Sequence, residues 1–568
     1  MTDRPWLAFY GDLPADIEVP DATMFELVAA SARRWPDRTA LVYVGRRITY
    51  AELLADIERC AQALLAAGIG SGDSVTLSMP NVPNTIVLFY VLNRIGARAV
   101  MTHPLSSPTE LQHYLTESGS RWAVTMDLFY GRFRDILADT SVERLLICHF
   151  SDYLSGPKKL GFKVTKGRKI APVPKDDPRV ITWRQFLKSK PSVEPQPPVE
   201  PVETPHDHPS DVVLFSGGTS ALPKGIELSS ANFNALAVSM GAITGISVGD
   251  SVLAILPVFH GFGLGLCIHT PLTVGAFAIL VPEFSARVYI DNLTRYSPSY
   301  IAGVPTLFQA LLAEPTFAKV SFEKLRGAYS GGDSLTPALK ARFDEAIGSQ
   351  GSRVELMEGY GLTECVTACT VSPAHHYREN SIGIPIPGMR VKVADSAGRE
   401  LPYGEEGELC VTGPTLMWGY LNDPEATAAT LRRHEDGLTW LHTGDIGTMD
   451  AGGYLYFRGR SKRIIKVSGV SVYPAQVEQV LEAHPGVRRA CVIGTPDEYQ
   501  LSSVKAFVVP AEGAGDERLR DDLLGHCRKH LMKWAVPRSI EFRDELPTTL
   551  VGKIAYTQLE QEELGRVG

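Results

Sequence analysis

The densest chemistry in the chain lies between Asp211 and Gly225. A β-branched run, Val212-Val213-Leu214-Phe215, stops at Ser216 and passes into Gly217-Gly218-Thr219-Ser220-Ala221-Leu222-Pro223-Lys224-Gly225. Glycines let backbone N–H groups close on an anion, the hydroxyls of Ser216, Thr219 and Ser220 add neutral donors, and Lys224 adds a point charge; together they describe a polyphosphate loop hung from a strand. The pattern is not the Walker one, which has four residues between Gly and Gly-Lys and a helix directly after. A second cluster runs from Glu358 to Glu364. Tyr360 stands between glycines as a stacking face for a base, Thr363 offers a hydroxyl, and Glu364 offers a hard carboxylate for phosphate and Mg²⁺. Gly331 and Gly332 end a further strand-like run, and ligands gather outside such strand ends in parallel α/β sheets.

These groups need a large scaffold. At 568 residues the chain exceeds one core, so about two to four domains or subdomains are expected. With 44% hydrophobic and 21% charged residues it reads as an ordinary globular protein, and a net charge of -8 gives no global attraction for nucleic acid or an anionic membrane. Eight scattered cysteines and a start, Met1-Thr2-Asp3-Arg4-Pro5-Trp6, without an apolar signal core suit a reducing cytoplasm. Ser251 to Pro282 carries no Asp, Glu, Lys or Arg; its prolines and glycines make it strand, loop and buried helix rather than a membrane span.

Along the chain, residues 22 to 100 alternate helix and strand signals, with Thr49 capping the helix that starts Tyr50-Ala51-Glu52, and this rhythm predicts a covered, largely parallel sheet. Gly156 to Lys175 collects seven Lys or Arg around Leu160, Phe162 and Val164 and reads as a solvated insertion, leaving contact with a membrane surface open. Pro191 to Pro209 reads as a stiff connector. After Ile384, short strands and turns predict a small antiparallel or barrel-like unit. The β/α alternation from Ile464 to Gly568 is long enough to be a domain in itself.

This set of motifs, in this order, resembles the adenylate-forming superfamily of acyl- and aryl-CoA synthetases, peptide-synthetase adenylation domains and luciferases, over nearly the whole chain. The resemblance implies an α/β fold with a large N-terminal domain over residues 1–460 and a small, mobile α+β C-terminal domain over 461–568. The large domain would hold two α/β subdomains (about 1–205 and 206–383) and a β-barrel-like subdomain (384–460). It further implies that Ser216, Gly217, Gly218, Thr219, Ser220 and Lys224 hold the β- and γ-phosphates of ATP, that Tyr360 stacks on adenine, that Thr363 touches the α-phosphate and that Glu364 helps hold Mg²⁺. Asp445 and Arg460 would contact the ribose, Lys462 would be the hinge, and Lys553 would bridge the carboxylate and the α-phosphate. Gly469 would let the pantetheine arm of CoA pass after the small domain rotates. Two departures stand out. Ala221 replaces a glycine, costing about 1 kcal/mol if that position needs positive φ, and Leu546–Lys553 lacks the usual cation after Pro547 and the usual serine before Gly552.

The resemblance places His260 and Gly261 beside the acyl pocket, with Gly331 and Gly332 leaving room for a long or bulky acid. No acid lies between Asp250 and Glu283 to pair an amino group, so an uncharged acyl chain, first a fatty acid, is expected. Cys365 and Cys369 have a spacing tolerable for zinc, but His375 and His376 are adjacent rather than a turn apart, and Cys365 directly follows Glu364, so no zinc site is expected. The implied reaction converts a carboxylic acid and ATP to acyl-AMP and then, with CoA, to acyl-CoA. Its rivals are an aryl- or polycyclic-acid CoA ligase, an acyl-AMP ligase loading a separate carrier protein, and a nucleotide- or acyl-binding protein without catalysis.

Overall fold

The computed structural model describes residues 4–164, 173, 177–188, 210–216, 223–283, 285–467, 470–497, 501–549 and 553–567. Ser216 and Lys224 are therefore in view, while Gly217, Gly218, Thr219, Ser220 and Gly469 lie outside the described residues, as does the whole Pro-rich connector.

Two sheets build the large domain. One has eight strands in the order 419–420, 225–228, 212–215, 98–102, 74–78, 122–126, 144–148, 180–182; the other has nine, from Ile384–Pro385 through Thr370–Val371, Leu356–Tyr360, Gly327–Gly331, Tyr300–Gly303, Ser251–Ala254 and Phe277–Leu280 to Thr39–Tyr43 and Arg46–Thr49. Helix Pro83–Arg94 is buried along almost its whole length. Capping boxes start its neighbours: Thr23 with Glu26, Thr49 with Glu52, and Ser107 with Glu110. The charge-free stretch forms a strand, a π-helix (Phe262–His269), a short helix and a strand, all in the core. Among the described residues no helix is long and apolar enough to cross a membrane.

The sheets do not follow the expected split near residue 205. Strand Thr39–Tyr43 leaves the first segment to lie parallel to Phe277–Leu280 in the nine-stranded sheet. Strand Val212–Phe215 crosses the other way and lies parallel to Arg98–Thr102 in the eight-stranded sheet. A parallel strand takes its neighbours through crossovers of any length, so a boundary drawn on contiguous sequence misses the exchange. The strands that flank the glycine-rich segment, Val212–Phe215 and its antiparallel partner Gly225–Leu228, thus both belong to the eight-stranded sheet.

Residues 390–460 form a five-stranded antiparallel sheet. The small C-terminal domain has its own core of Ile465, Val467, Val477, Leu481, Val492, Val508, Leu523 and Ile540. Strands Val487–Asp497, Leu501–Pro510 and Ser539–Phe542 pack there against helices Pro474–Glu482 and Glu517–His530.

Candidate active site

The cleft is built from the ends of the parallel strands, the antiparallel sheet and one lysine of the small domain. Strand Leu356–Tyr360 delivers Tyr360, whose hydroxyl donates to Asp445 Oδ2 at 2.7 Å. Asp445 is 2% exposed and stands opposite Arg460 in the ladder between Thr439–Met449 and Leu455–Arg460. Arg460 Nε lies 3.2 Å from Asp445 Oδ1 without the alignment of a hydrogen bond, so among the described residues Oδ1 has no donor. Burial raises the Asp445 pKa; Arg460 first, then Tyr360 and Lys553, pull against it.

The Thr443-Gly444-Asp445 turn is held from below. Glu408 Oε1 accepts from Gly444 N at 2.8 Å and its Oε2 from His442 Nδ1 at 2.7 Å, while Asp445 N donates to Thr443 Oγ1 at 3.0 Å. Glu408, Cys410 and His442 are also the one set of His, Cys and acidic side chains, among the described residues, close enough to share an ion. Cys365, Cys369, His375 and His376 do not form such a set.

Thr363, buried, and Glu364 occupy a short 3-10 turn. Glu364 Oε1 accepts the Tyr420 hydroxyl at 3.0 Å. Tyr420 also carries Lys224 Nζ 4.9 Å above its ring, and Lys224 pairs with Asp423 at 2.9 Å. At the base of the loop Lys224 N donates to Ser216 Oγ at 3.1 Å. Tyr420 therefore ties the loop's lysine to the carboxylate of the second motif. Sequence reasoning missed Tyr420 and Asp423. Asp423-Pro424 is a helix-start signature, and Asp423 does accept from Ala426 N at 2.9 Å, whereas nothing local marks Tyr420.

The turn at Glu364 is strained. Val366 has φ 63° and ψ -59°, and Thr367 N donates to Cys365 O at 2.7 Å, which is the rarer, high-energy hand of γ-turn on a β-branched residue. Gly261 makes it fit, because a Cβ there would sit 1.7 Å from Val366 O. Gly261→Ala is expected to destabilise the protein by about 3 kcal/mol through overpacking, read as a drop of several degrees in thermal unfolding.

Lys553 enters from the small domain. Its backbone is pinned to Thr549, with Thr549 N donating to Lys553 O at 2.7 Å, and its Cε lies 3.9 Å from where a Gly332 Cβ would stand. Burial and the Arg460 charge lower its pKa, against the pull of Asp333, Asp445 and Glu364. Among the described residues it forms no ion pair. His260 lies close by; burial first and the Lys553 ammonium second push its pKa down to about 4, so the ring is neutral, and Phe262 N donates to its Nδ1 at 3.3 Å. Gly331 lets Phe262 approach, a Cβ there being 3.2 Å from the ring, and Gly332 adopts φ 83°. The Lys462 backbone lies in the 3-10 turn Ser461–Arg463 beside Arg460, and its side chain lies outside the described residues.

One buried acid works on stability rather than chemistry. Glu358, on the strand that ends in Tyr360, accepts from Leu335 N at 3.0 Å, and its pKa is raised to about 8 by burial first and then by Asp333. The folded state keeps this proton up to about pH 8, while the unfolded chain releases it near the ordinary value of 4.5, so stability falls as pH rises between the two. Glu358→Gln is expected to remove that slope. The variant should gain on the wild type by a few kcal/mol from pH 5 to pH 9, read as a widening gap in melting temperature (roughly 1.4 kcal/mol per pKa unit).

A family model of AMP-binding enzymes matches residues 28–421, and one of the AMP-binding enzyme C-terminal domain matches residues 476–553. The chain belongs to the AMP-binding enzymes. Among AMP-binding enzymes, it is 32% identical over 576 residues to a long-chain-fatty-acid–CoA ligase of Bacillus subtilis (strain 168), covering 99% of each chain. It is 34% identical over 581 residues to the ligase of the same description from Salmonella typhimurium, again covering 99% of each. Of solved structures, an anthranilate CoA ligase in complex with anthranoyl-AMP superposes with a TM-score of 0.82 at 26% identity, over 98% of this chain and 100% of that one. A benzoate CoA ligase from Burkholderia xenovorans LB400 gives 0.79 at 26% identity, over 95% and 99%.

Proposed function

We propose that this AMP-binding enzyme activates a long-chain fatty acid with ATP to an acyl-adenylate and transfers the acyl group to CoA, releasing pyrophosphate and AMP. The observation that carries the reading is the convergence of Tyr360, Glu364, Asp445, Arg460 and Lys553, from five separate segments, on one cleft that leaves Asp445 Oδ1 without a donor and the Lys553 ammonium without an ion pair among the described residues. A buried carboxylate oxygen with no donor fits a ribose hydroxyl, with Arg460 beside it. A half-buried ammonium facing Asp445 and Glu364 but paired with neither fits an anionic ligand between them.

In the first half-reaction a carboxylate oxygen of the acid attacks the α-phosphorus and the bond to pyrophosphate breaks. Lys553 lies where it offsets the negative charge gathering on both reactants, and Lys224 and Ser216 stand at the loop that would receive pyrophosphate. Glu364, whose Oε1 is already oriented by Tyr420, suits a hard cation. Mg²⁺ bound there would neutralise phosphate charge. In the second half-reaction the CoA thiolate attacks the acyl carbon and AMP leaves. The fatty-acid assignment rests on the names of the two bacterial relatives and on the charge-free stretch from Ser251 to Pro282.

The test is ATP-dependent thioester formation over fatty, aromatic and polycyclic acids, with and without CoA, following AMP and pyrophosphate separately. Thioester from long-chain acids is expected. Turnover confined to aromatic or polycyclic acids would overturn the substrate class. An adenylate that accumulates despite CoA would overturn the acceptor, and no pyrophosphate with any acid would overturn the reaction.

A further inference from the structure

Lys553 is not the only cation that the small domain brings to the cleft. Arg489, on strand Val487–Asp497, places Nη2 3.6 Å from Asp333 Oδ2 of the large domain. Asp333 directly follows Gly331 and Gly332, and its Oδ1 is engaged by Ser334 N at 2.9 Å, which leaves Oδ2 directed at the small domain. The same carboxylate is among the charges that face Lys553. On its own side Arg489 is backed by Glu482, whose Oε1 accepts from Ala490 N at 3.0 Å and whose charge Arg489 favours. The guanidinium is thus positioned by its own domain, with a side-chain exposure of 16% against 38% for Asp333. Other links across the boundary are neutral or one-sided in charge: Gln479 with Asn380, Tyr473 with Glu406, and Gln309 Nε2 donating to Arg488 O at 3.4 Å.

We propose that Asp333 and Arg489 form a cross-domain latch that favours the orientation in which Lys553 occupies the cleft, and so sets the balance between adenylation and thioester formation. The inference rests on the reading of Lys553 as the adenylation lysine. Rotation of the small domain, which the second half-reaction requires in enzymes that this chain resembles, withdraws Lys553 and breaks the Asp333–Arg489 pair in the same movement. Neither latch residue touches reacting atoms. Arg489 acts on the population of one orientation, Asp333 on that population and on the charge that Lys553 faces, and a partly exposed ion pair shifts such a population by about two- to fivefold.

The experiment uses the full chain and measures the half-reactions apart: pyrophosphate release from ATP with palmitate, and thioester formation from purified palmitoyl-adenylate with CoA. Arg489→Ala is expected to slow the first by about two- to fivefold and to leave the second unchanged or faster by a similar factor. Arg489→Lys should restore most of the first. Asp333→Asn also removes a carboxylate that faces Lys553, so combining it with Arg489→Ala should cost no more than Asp333→Asn alone. Raising salt should shift the ratio of the two rates in the wild type but not in Arg489→Ala. Equal losses in both half-reactions, an unchanged ratio, or additive losses in the double variant would overturn the latch. The parent reading has its own readout: if Lys553→Ala adenylates at the wild-type rate, the role of Lys553 fails, whereas an unchanged ratio in Arg489→Ala beside an inactive Lys553→Ala fails the latch alone.

Discussion

Lys553→Ala is expected to lower pyrophosphate release by about 10²- to 10³-fold while leaving thioester formation from a supplied acyl-adenylate within about threefold of wild type. The asymmetry follows from position. Lys553 reaches the cleft on a segment of the small domain whose backbone is fastened at Thr549, and its ammonium faces Asp333, Asp445 and Glu364 with no ion pair among the described residues. An acid and a triphosphate entering that space bring several negative charges together, and the transition state gathers more on the attacked phosphorus. A fixed cation in a desolvated site stabilises that state more than it stabilises bound substrates, so the loss falls on kcat rather than on KM. Once the adenylate exists, a thiolate replaces AMP at the acyl carbon, its negative charge passes to the departing phosphate, and the crowding of an anionic acid against a triphosphate is gone. Equal losses in the two half-reactions would assign Lys553 to folding or to general binding instead. Rapid-quench measurement of pyrophosphate alongside single-turnover thioester formation separates these outcomes.

How far the site could be read from sequence depended on whether each part was local. Tyr360, Thr363 and Glu364 lie within five residues of one another, and the structure brings Tyr360 to Asp445 and Glu364 to Tyr420. Thr49 caps a helix with Glu52 as its spacing to the acid predicts. Asp445 and Arg460 came from resemblance alone, and the ladder pairs them directly. Partners that depend on chain segments far apart left no mark. Tyr420 reaches Glu364 across 56 residues, Asp423 reaches Lys224 across 199, and Arg489 reaches Asp333 only through the docking of one domain on another. Strands Thr39–Tyr43 and Val212–Phe215 were each legible as strands, yet their exchange between sheets was not, because a strand buried on both faces carries no signal of which neighbour it pairs. The strain at Val366 was equally hidden: a valine in a polar turn gives no warning of positive φ, and only the carbonyl pressed against Gly261 reveals why that glycine has no side chain.

Asp445→Ala is expected to raise KM for ATP by about 10²-fold with a smaller fall in kcat, because we propose that this carboxylate holds the nucleotide rather than the reacting bond. Three effects add. The variant loses a charged acceptor for hydroxyl groups, and a hydrogen bond to a charged group contributes about 1.5–3 kcal/mol, or roughly one to two powers of ten in affinity. It also strands the Tyr360 hydroxyl, which now donates to Oδ2, and frees the ring that we propose as the stacking face for the base. Finally it leaves Arg460 without its ion-pair partner beside Lys553, and two cations facing each other across a half-buried cleft disfavour one another. Asp445→Asn separates these effects. The amide keeps an acceptor for the Tyr360 hydroxyl and the side-chain shape but loses the charge, so its KM should lie between wild type and alanine. Its Lys553 pKa should fall below the wild-type value, since one of the carboxylates that hold it up has gone, and the alkaline limb of the adenylation rate should move to lower pH. An asparagine variant with the alanine KM and an unmoved alkaline limb would mean that Asp445 acts by shape alone and that the charge assigned to it here plays no part in holding the nucleotide.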